Sequence, residues 1–437
     1  MEKSHIGSPK SLLAKVFLVA MGIGLGLLVL EIGLRLVPHP AAQPFTRGTF
    51  VPDRDADYDL AANFPHTPSL LGDSRNTVDF WTNELGCFDE PFKGGPHILV
   101  LGDSFTQSGY ALKDMWGSYV QTYCGQRVLK CGVSGYGTKQ EFFKARKIIK
   151  RTGAPKLIIV ARCVNDLNDD YLLPSRAVIN GWTIQRKHII DYETGACYVK
   201  TNANIIRELA LLQGGVTEGT ECPSNSAWQL LKCWLYRNSR VYHRLKQPLK
   251  DLLGRIPIVI RFLNQSHIAA PEPRLLVECP HDLSWIQEVW KSHVQNFKDL
   301  QALAAQQHAE LLVVLIPTRD QVYPFIEEPR LTQDKIKNTN EARDLMIRFL
   351  AHERINYLDL QEPFRQYANL TPRKSLDSSK DLYLGNDQHW SLLGQHLAGM
   401  LVARHVLRRG LLRLPDLPKR QQDLDRALED FRKTSPR

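Results

Sequence analysis

No Cys-x-x-Cys pair occurs in the 437 residues. That absence argues against a structural zinc site and a thioredoxin-like redox site, both of which hold thiolates at such spacing. No internal repeat is visible, and beyond one N-terminal segment there is no second apolar run long enough to span a bilayer. A multi-span transporter is thereby excluded. Hydrophobic residues at 43% and charged residues at 23% are ordinary globular usage, which excludes a disordered or collagen-like chain. The length allows two or three domains and a large core.

The net charge of +10 resembles a nucleic-acid signal until it is located. Residues 404–437 hold ten Lys/Arg against five Asp/Glu, and residues 1–15 hold three Lys against one Glu. About +3 remains for the middle of the chain, so a surface tail and a membrane-flanking cluster explain the charge better than a nucleic-acid face. The eight cysteines (Cys87, Cys124, Cys131, Cys163, Cys197, Cys222, Cys233 and Cys279) suit an oxidising compartment. Cys222 and Cys233 share a polar, loop-rich stretch and are the expected bridge.

Residues 16–37 read VFLVAMGIGLGLLVLEIGLRLV. A helix of that length spans roughly 33 Å, enough for a hydrocarbon core of about 30 Å. Its charges, Glu31 and Arg35, lie near the far end at a spacing that lets them pair. Lys3, Lys10 and Lys15 precede it, so residues 1–15 are expected in the cytoplasm and everything beyond about residue 38 outside it. The competing reading is a cleaved signal peptide, against which stand the length of the run and the lack of a clear small-x-small cleavage site. Gly22 and Gly26 form a GxxxG pair, either a helix-dimerising surface or glycines neutral to packing.

Residues 38–75, rich in Pro, Asp and Ala without a clean period, read as a linker. Five short apolar runs then read as buried parallel strands: 97–101, 127–133, 157–161, 311–316 and 355–360. Helical patterns at 138–150, 283–308, 340–352 and 391–407 separate or follow them. The alternation predicts an α/β, doubly wound parallel sheet. The domain is expected over 76–410, with residues 411–437 as a basic C-terminal tail containing an amphipathic run at 424–431. The third and fourth strands are too far apart for a simple crossover, so residues 174–282 are read as an insertion. It contains a hairpin-like stretch at 181–201 and helical patches at 204–213 and 226–253. Ligands of such folds sit outside the carboxyl ends of the strands, where this insertion could act as a lid.

Four segments carry chemistry. The first strand runs into Gly102-Asp103-Ser104-Phe105, where a serine at a strand-to-helix turn either exposes its hydroxyl as a nucleophile or caps the helix. The second ends in Gly132-Val133-Ser134-Gly135-Tyr136-Gly137, whose glycines let a backbone N–H approach a ligand or simply make a tight turn. The third ends in Asn165-Asp166-Leu167-Asn168-Asp169-Asp170. There an Asn can donate to an oxyanion, the carboxylates can bind a cation, or the group can cap a helix. Leu384-Gly385-Asn386-Asp387-Gln388-His389-Trp390-Ser391 precedes the last predicted helix. His389 could take the Ser104 proton while Asp387 holds the imidazole tautomer.

Taken together, the four blocks resemble the GDSL/SGNH hydrolase superfamily over about residues 76–410, excluding much of the insertion. The resemblance implies Ser104 as nucleophile, Asp387 and His389 as the remaining triad, and an oxyanion hole from Ser104, Gly135 and Asn165. The run NELGCFD at residues 83–89 is also similar to a segment of membrane-anchored bacterial members. The last block, Asp387-Gln388-His389-Trp390, has an Asp-x-His-Trp form similar to the alginate O-acetylation proteins and related periplasmic acyltransferases. The resemblance further implies the flavodoxin-like sheet order 2-1-3-4-5. In that order Cys131 and Cys163 lie two strand spacings apart, roughly 9.6 Å, beyond disulfide reach.

These readings imply a serine esterase working through an acyl-enzyme on an O-acyl ester, such as an acetylated glycan or another envelope ester. An O-acyltransferase using the same residues, partnered by a membrane acyl-donor protein, is one alternative; a non-catalytic glycan-binding protein is another. A bacterial inner-membrane location is expected, single-pass, with the catalytic domain periplasmic or otherwise extracytoplasmic. No cofactor, metal or nucleic acid is expected.

Overall fold

The computed structural model describes residues 9–36, 48–70, 77–107, 109–171, 173, 176–179, 182–185, 189–190, 199–200, 241, 284–325, 340–373, 375–385 and 388–434. The chain divides into two compact units, one of residues 1–41 with 211–271 and one of residues 42–210 with 272–437.

In the first unit, helix α1 (Pro9–Leu36) occupies the segment expected to be helical. Glu31, expected to pair with Arg35, accepts a hydrogen bond from the Val241 amide at 3.0 Å. Among the described residues no helix is long and apolar enough to cross a membrane. The expected helix is therefore present, but a bilayer span is not shown by it.

The second unit is built on five parallel strands: β1 (His97–Gly102), β2 (Arg127–Lys130), β3 (Leu157–Arg162), β4 (Glu310–Leu315) and β5 (Asn356–Asp359). Their order across the sheet is β2-β1-β3-β4-β5, the expected one. Both faces of β1, β3 and β4 are covered, which is why these strands read as apolar runs rather than alternating ones. Side chains still alternate between faces. Ile98, Val100, Ile159 and Val314 join one core cluster; Leu99, Leu101, Ile158 and Val313 join the other.

Helices α2 (Ser104–Gln107), α3 (Trp116–Cys124), α4 (Thr138–Thr152) and α5 (Asp166–Tyr171) fall between the first strands or follow them. Helices α6 (Ser284–Gln306), α7 (Glu341–His352), α8 (Leu392–Arg408) and α9 (Leu417–Thr434) complete the layers. Trp116 and Val120 of α3, with most of the buried face of α8, fill the first cluster; Ile148, Phe297 and Met346 from α4, α6 and α7 fill the second. Gly399 of α8 meets α3 so closely that an added Cβ would lie 2.4 Å from the Tyr119 Cβ and 2.7 Å from the Trp116 carbonyl oxygen.

Three features depart from or add to the expectations. The stretch read as a linker, 38–75, contains structure from residue 50 onward. Phe50–Asp53 pairs antiparallel with Asp57–Leu60, and Thr67–Leu70 with Thr77–Phe80. Phe50, Tyr58, Phe80 and Phe88 make a third core cluster with Val133 and Tyr136. The first hairpin escapes a hydrophobic-pattern reading because it is held by ions. Asp59 accepts from Lys144 Nζ and Lys147 Nζ at 2.6 Å each, and Lys147 Nζ also reaches Asp53 at 2.7 Å. Second, the basic tail is not a solvated terminus: Leu424, Leu428 and Phe431 of α9 are buried in the first cluster.

Third, the described disulfide joins Cys87 to Cys131, with Cα atoms 4.5 Å apart. The expected partners Cys222 and Cys233 lie outside the described residues. Linear spacing gave no hint of the observed pairing, because the loop 83–90 folds over the end of β2. Asn83 Oδ1 accepts from the Leu85 and Cys87 amides, and Asp89 Oδ2 from the Lys130 amide. Cys163 is a free, buried thiol, so it is not bridged to Cys131. Of the insertion, Arg176–Ile179 pairs with Trp182–Gln185 and Ile189–Ile190 with Val199–Lys200. The helical patches expected at 204–213 and 226–253 lie outside the described residues, Val241 apart, and so does any lid they would form.

The disulfide closes a loop across a sequence separation of 44. Replacing both cysteines, as Cys87→Ser with Cys131→Ser, is expected to lower stability by about 2–4 kcal/mol, read as the shift of the urea unfolding transition under non-reducing conditions.

Candidate active site

The sheet order reverses between β1 and β3, which opens a crevice at their carboxyl ends. β1 enters α2 through Gly102, at φ +153°, where an added Cβ would lie 2.1 Å from Thr106 Oγ1. Only glycine fits so tight a strand-to-helix turn. Asp103 then caps α2: its Oδ1 accepts from the Phe105 amide at 2.9 Å, and its carbonyl accepts from the Thr106 and Gln107 amides. This settles the capping alternative for Ser104, since Asp103 does the capping and the Ser104 hydroxyl is left for chemistry.

The segment before α8 forms a bent hairpin. Tyr383 pairs antiparallel with Trp390, and the Leu384 amide donates to the His389 carbonyl at 3.0 Å. Ser391 caps α8 by accepting from the Gly394 amide at 3.2 Å. Trp390 is buried against Phe105 and Phe364, with ring centroids 5.1 and 5.4 Å away, and its carbonyl accepts from Tyr110 Oη at 3.1 Å. His389 is thereby held over α2, its ring centroid 5.0 Å from that of Phe105. His389 Nε2 lies 2.7 Å from Ser104 Oγ. With the ring proton on Nδ1, the serine hydroxyl donates to Nε2, the arrangement required of a nucleophile and its base. Asp387 lies outside the described residues.

Gly135 stands in the turn after β2, at φ +75°. Neither its N–H nor that of Ser104 has an acceptor among the described residues. Asn165 sits at the head of α5, its Nδ2 3.1 Å from Asp103 Oδ2 and 2.9 Å from Asp169 Oδ2. Both amide hydrogens therefore already have carboxylate acceptors. For the carboxylates of 165–170, the cation-binding alternative finds no set of three or more ligating side chains among the described residues.

Beneath these groups lies a buried acidic layer that sequence reading missed. Asp170 Oδ2 accepts from His293 Nδ1 at 2.6 Å and from Asn296 Nδ2 at 2.7 Å, and its Oδ1 accepts from the Lys139 amide at 2.8 Å. One carboxylate thus joins the second block, the third block and α6. Burial pushes the Asp103 carboxyl upward, opposed by the Phe105 amide, Asn165 and the His389 charge. Glu141 and Asp166 are fully buried, and their carboxyl oxygens have no hydrogen-bond partner among the described residues. Burial raises both well above the carboxylate range. The charges of Asp103, Asp170 and Asp169 add to this for Glu141, and those of Glu141 and Asp103 for Asp166. Burial also lowers the His293 imidazole, against its bond to Asp170. A cavity of about 660 Å³ lies beside β2 between Trp81, Leu112, Gln121 and Arg127, and neither Ser104 nor His389 lines it.

No family model matches the sequence, and no curated protein matches it. Solved structures do match. A member of the lipolytic protein G-D-S-L family from Veillonella parvula DSM 2008 is 10% identical, with a TM-score of 0.32 over 72% of this chain and 97% of its own. The native aryl esterase of M. smegmatis is 11% identical, with a TM-score of 0.30 over 73% of this chain and 100% of its own. An α/β hydrolase enzyme from the metagenome of Lake Arreo, Spain, is 12% identical, with a TM-score of 0.33 over 74% of this chain and 99% of its own. The likeness is slight in each case, and the functional reading rests on this chain's own geometry.

The acidic layer makes stability depend on pH. Carboxyls raised in the folded state keep protons that the unfolded chain has released, so their contribution is complete below the ordinary carboxylate range and is lost as pH rises through the raised values. Buried imidazoles such as His293, held low, act in the opposite sense, so the carboxyls are read from the variants: Glu141→Gln and Asp166→Asn are expected to make the pH profile of urea unfolding fall less, or climb more, than wild type from about pH 5 to about pH 8. Variant slopes equal to that of wild type would contradict the assignment.

Proposed function

We propose that this chain is a membrane-anchored serine ester hydrolase acting through an acyl-enzyme on an O-acyl ester of a glycan or another envelope component. The observation that carries the reading is the 2.7 Å approach of Ser104 Oγ to His389 Nε2. Ser104 attacks the ester carbonyl as His389 takes the hydroxyl proton. The resulting oxyanion rests on the N–H groups of Ser104 and Gly135, and on Asn165 once it releases one carboxylate acceptor. The tetrahedral adduct collapses, and the leaving alkoxide takes the proton from His389. Water, deprotonated by His389, then attacks the acyl carbon, and the acid departs as Ser104 regains its proton. Asp387 is assigned to hold the Nδ1–H of His389 during both steps.

The order Asp387-Gln388-His389-Trp390 favours a second reading with the same first half. A sugar hydroxyl replaces water, the acyl group is transferred to an envelope polysaccharide, and a membrane acyl-donor protein becomes the partner. Acyl transfer to an oligosaccharide, measured against release of free acid, decides between the two. Labelling of Ser104 by a fluorophosphonate excludes a purely glycan-binding protein.

Anchoring is supported by α1. Of the thirteen exposed large hydrophobic residues among those described, nine lie on that helix, from Leu18 to Leu36. Such a surface is costly in water and suits a lipid phase. Lys3, Lys10 and Lys15, ahead of the apolar run that begins at residue 16, favour a cytoplasmic N-terminus in a bacterial inner membrane. The Cys87–Cys131 disulfide suits an extracytoplasmic catalytic domain.

Ser104→Ala is expected to abolish both turnover and fluorophosphonate labelling, and Asn165→Ala to lower kcat about 10²–10³-fold. Wild-type turnover by purified Ser104→Ala would overturn the mechanism. The full chain is expected to stay with membranes through alkaline carbonate extraction, and a chain lacking residues 1–37 to be released; a full chain released by carbonate would defeat the anchor.

A further inference from the structure

The turn after β2 spans Val133–Tyr136, closed by a hydrogen bond from the Tyr136 amide to the Val133 carbonyl at 3.1 Å. Gly135, its third residue, has φ +75°, whereas Ser134 is not among the non-glycine residues with positive φ. These values define a type II turn, which differs from type I by a half-rotation of the central peptide plane. That plane consists of the Ser134 carbonyl and the Gly135 N–H. Because a trans peptide is rigid, the two point in opposite directions, and whatever holds the carbonyl also aims the N–H.

The Ser134 carbonyl is held by a residue 76 positions earlier in the chain. Tyr58 Oη donates to it at 2.8 Å. Tyr58 is fully buried, packs edge-to-face on Tyr136 at 5.3 Å, and accepts at its own carbonyl from Tyr136 Oη at 2.5 Å. The preceding peptide is fixed as well, since the Ser134 amide donates to Gln107 Oε1 at 2.6 Å. A hydrogen bond to the carbonyl also polarises the amide, so the Gly135 N–H becomes a stronger donor.

We propose that Tyr58 is a positioning residue of the oxyanion hole: its hydroxyl locks the Ser134–Gly135 peptide in the flipped state, so that the Gly135 N–H faces away from the first hairpin, with no acceptor among the described residues. The inference rests on the assignment of that N–H to the oxyanion. Tyr58 touches no reacting atom, and its effect passes entirely through one peptide plane.

The test compares wild type, Tyr58→Phe and Ser104→Ala as full chains, with kcat expressed per site titrated by a fluorophosphonate for the first two and per folded chain for Ser104→Ala. Removing a direct oxyanion donor costs about 10²–10³-fold in kcat, so loosening one from behind is expected to cost about tenfold. KM should stay within about twofold, and the inhibition constant of a boronic acid, whose tetrahedral adduct on Ser104 mimics the oxyanion, should weaken in step with kcat. A merely structural role would lower the number of titrated sites and leave kcat per site and boronate affinity alone, and that result overturns the proposal. So does a kcat loss without a boronate effect. Wild-type turnover by Ser104→Ala removes the underlying reading of the site, and the inference with it. If Tyr58→Phe does not fold, 3,5-difluorotyrosine at position 58 keeps the shape and changes the donor strength of the hydroxyl. A changed kcat per site at constant KM then supports the role, and an unchanged kcat overturns it.

Discussion

A 2.7 Å hydrogen bond between residues 285 positions apart, from Ser104 to His389, is the contact on which the proposed chemistry depends. Neither partner is placed by its own neighbours alone. Ser104 is presented by a turn that needs a glycine before it and a capping aspartate beside it. His389 is presented by a hairpin that Trp390 nails into the core and that Tyr110 braces from the nucleophile's side. The two meet because a parallel sheet gathers strand ends that are remote in sequence on one edge.

The polar layer under that edge has a different character. Two buried carboxyls without hydrogen-bond partners among the described residues are costly compared with apolar packing. Around them, directed hydrogen bonds link the neighbouring elements. Asp103 ties the nucleophile turn to Asn165, Asp169 ties Asn165 to its own helix, and Asp170 ties that helix to α4 and α6. The layer fixes where the second and third blocks stand relative to each other, which apolar contacts, lacking direction, would do less sharply.

Much of this was legible in the chain itself. β1, β3 and β4 announce themselves as apolar runs because both of their faces are buried, and α4, α6, α7 and α8 begin and end within two residues of their patterns. The places of Ser104, Gly135 and Asn165 were legible because each follows a readable strand, and that of His389 because it precedes a readable helix; their roles belong to the proposed function. The strands at 50–80 were not: four residues each, interrupted by Pro52 and Pro68 and held by Asp59 with Lys144 and Lys147, they carry no periodic signal. The Cys87–Cys131 pairing and the Tyr58 contact to Ser134 are products of tertiary folding alone. No local pattern can tell which tyrosine hydroxyl will find which carbonyl across 76 residues.

The near-contact of α8 with α3 at Gly399 bears on how this sequence can drift. A methyl group there would collide with the backbone of Trp116, and α8 begins three residues after the imidazole of His389. A neutral-looking Gly-to-Ala exchange on α8 would therefore push apart two helices and shift the element that directly follows His389. Tolerance to change along α8 is set by the fit between two helices, not by distance from the reacting atoms.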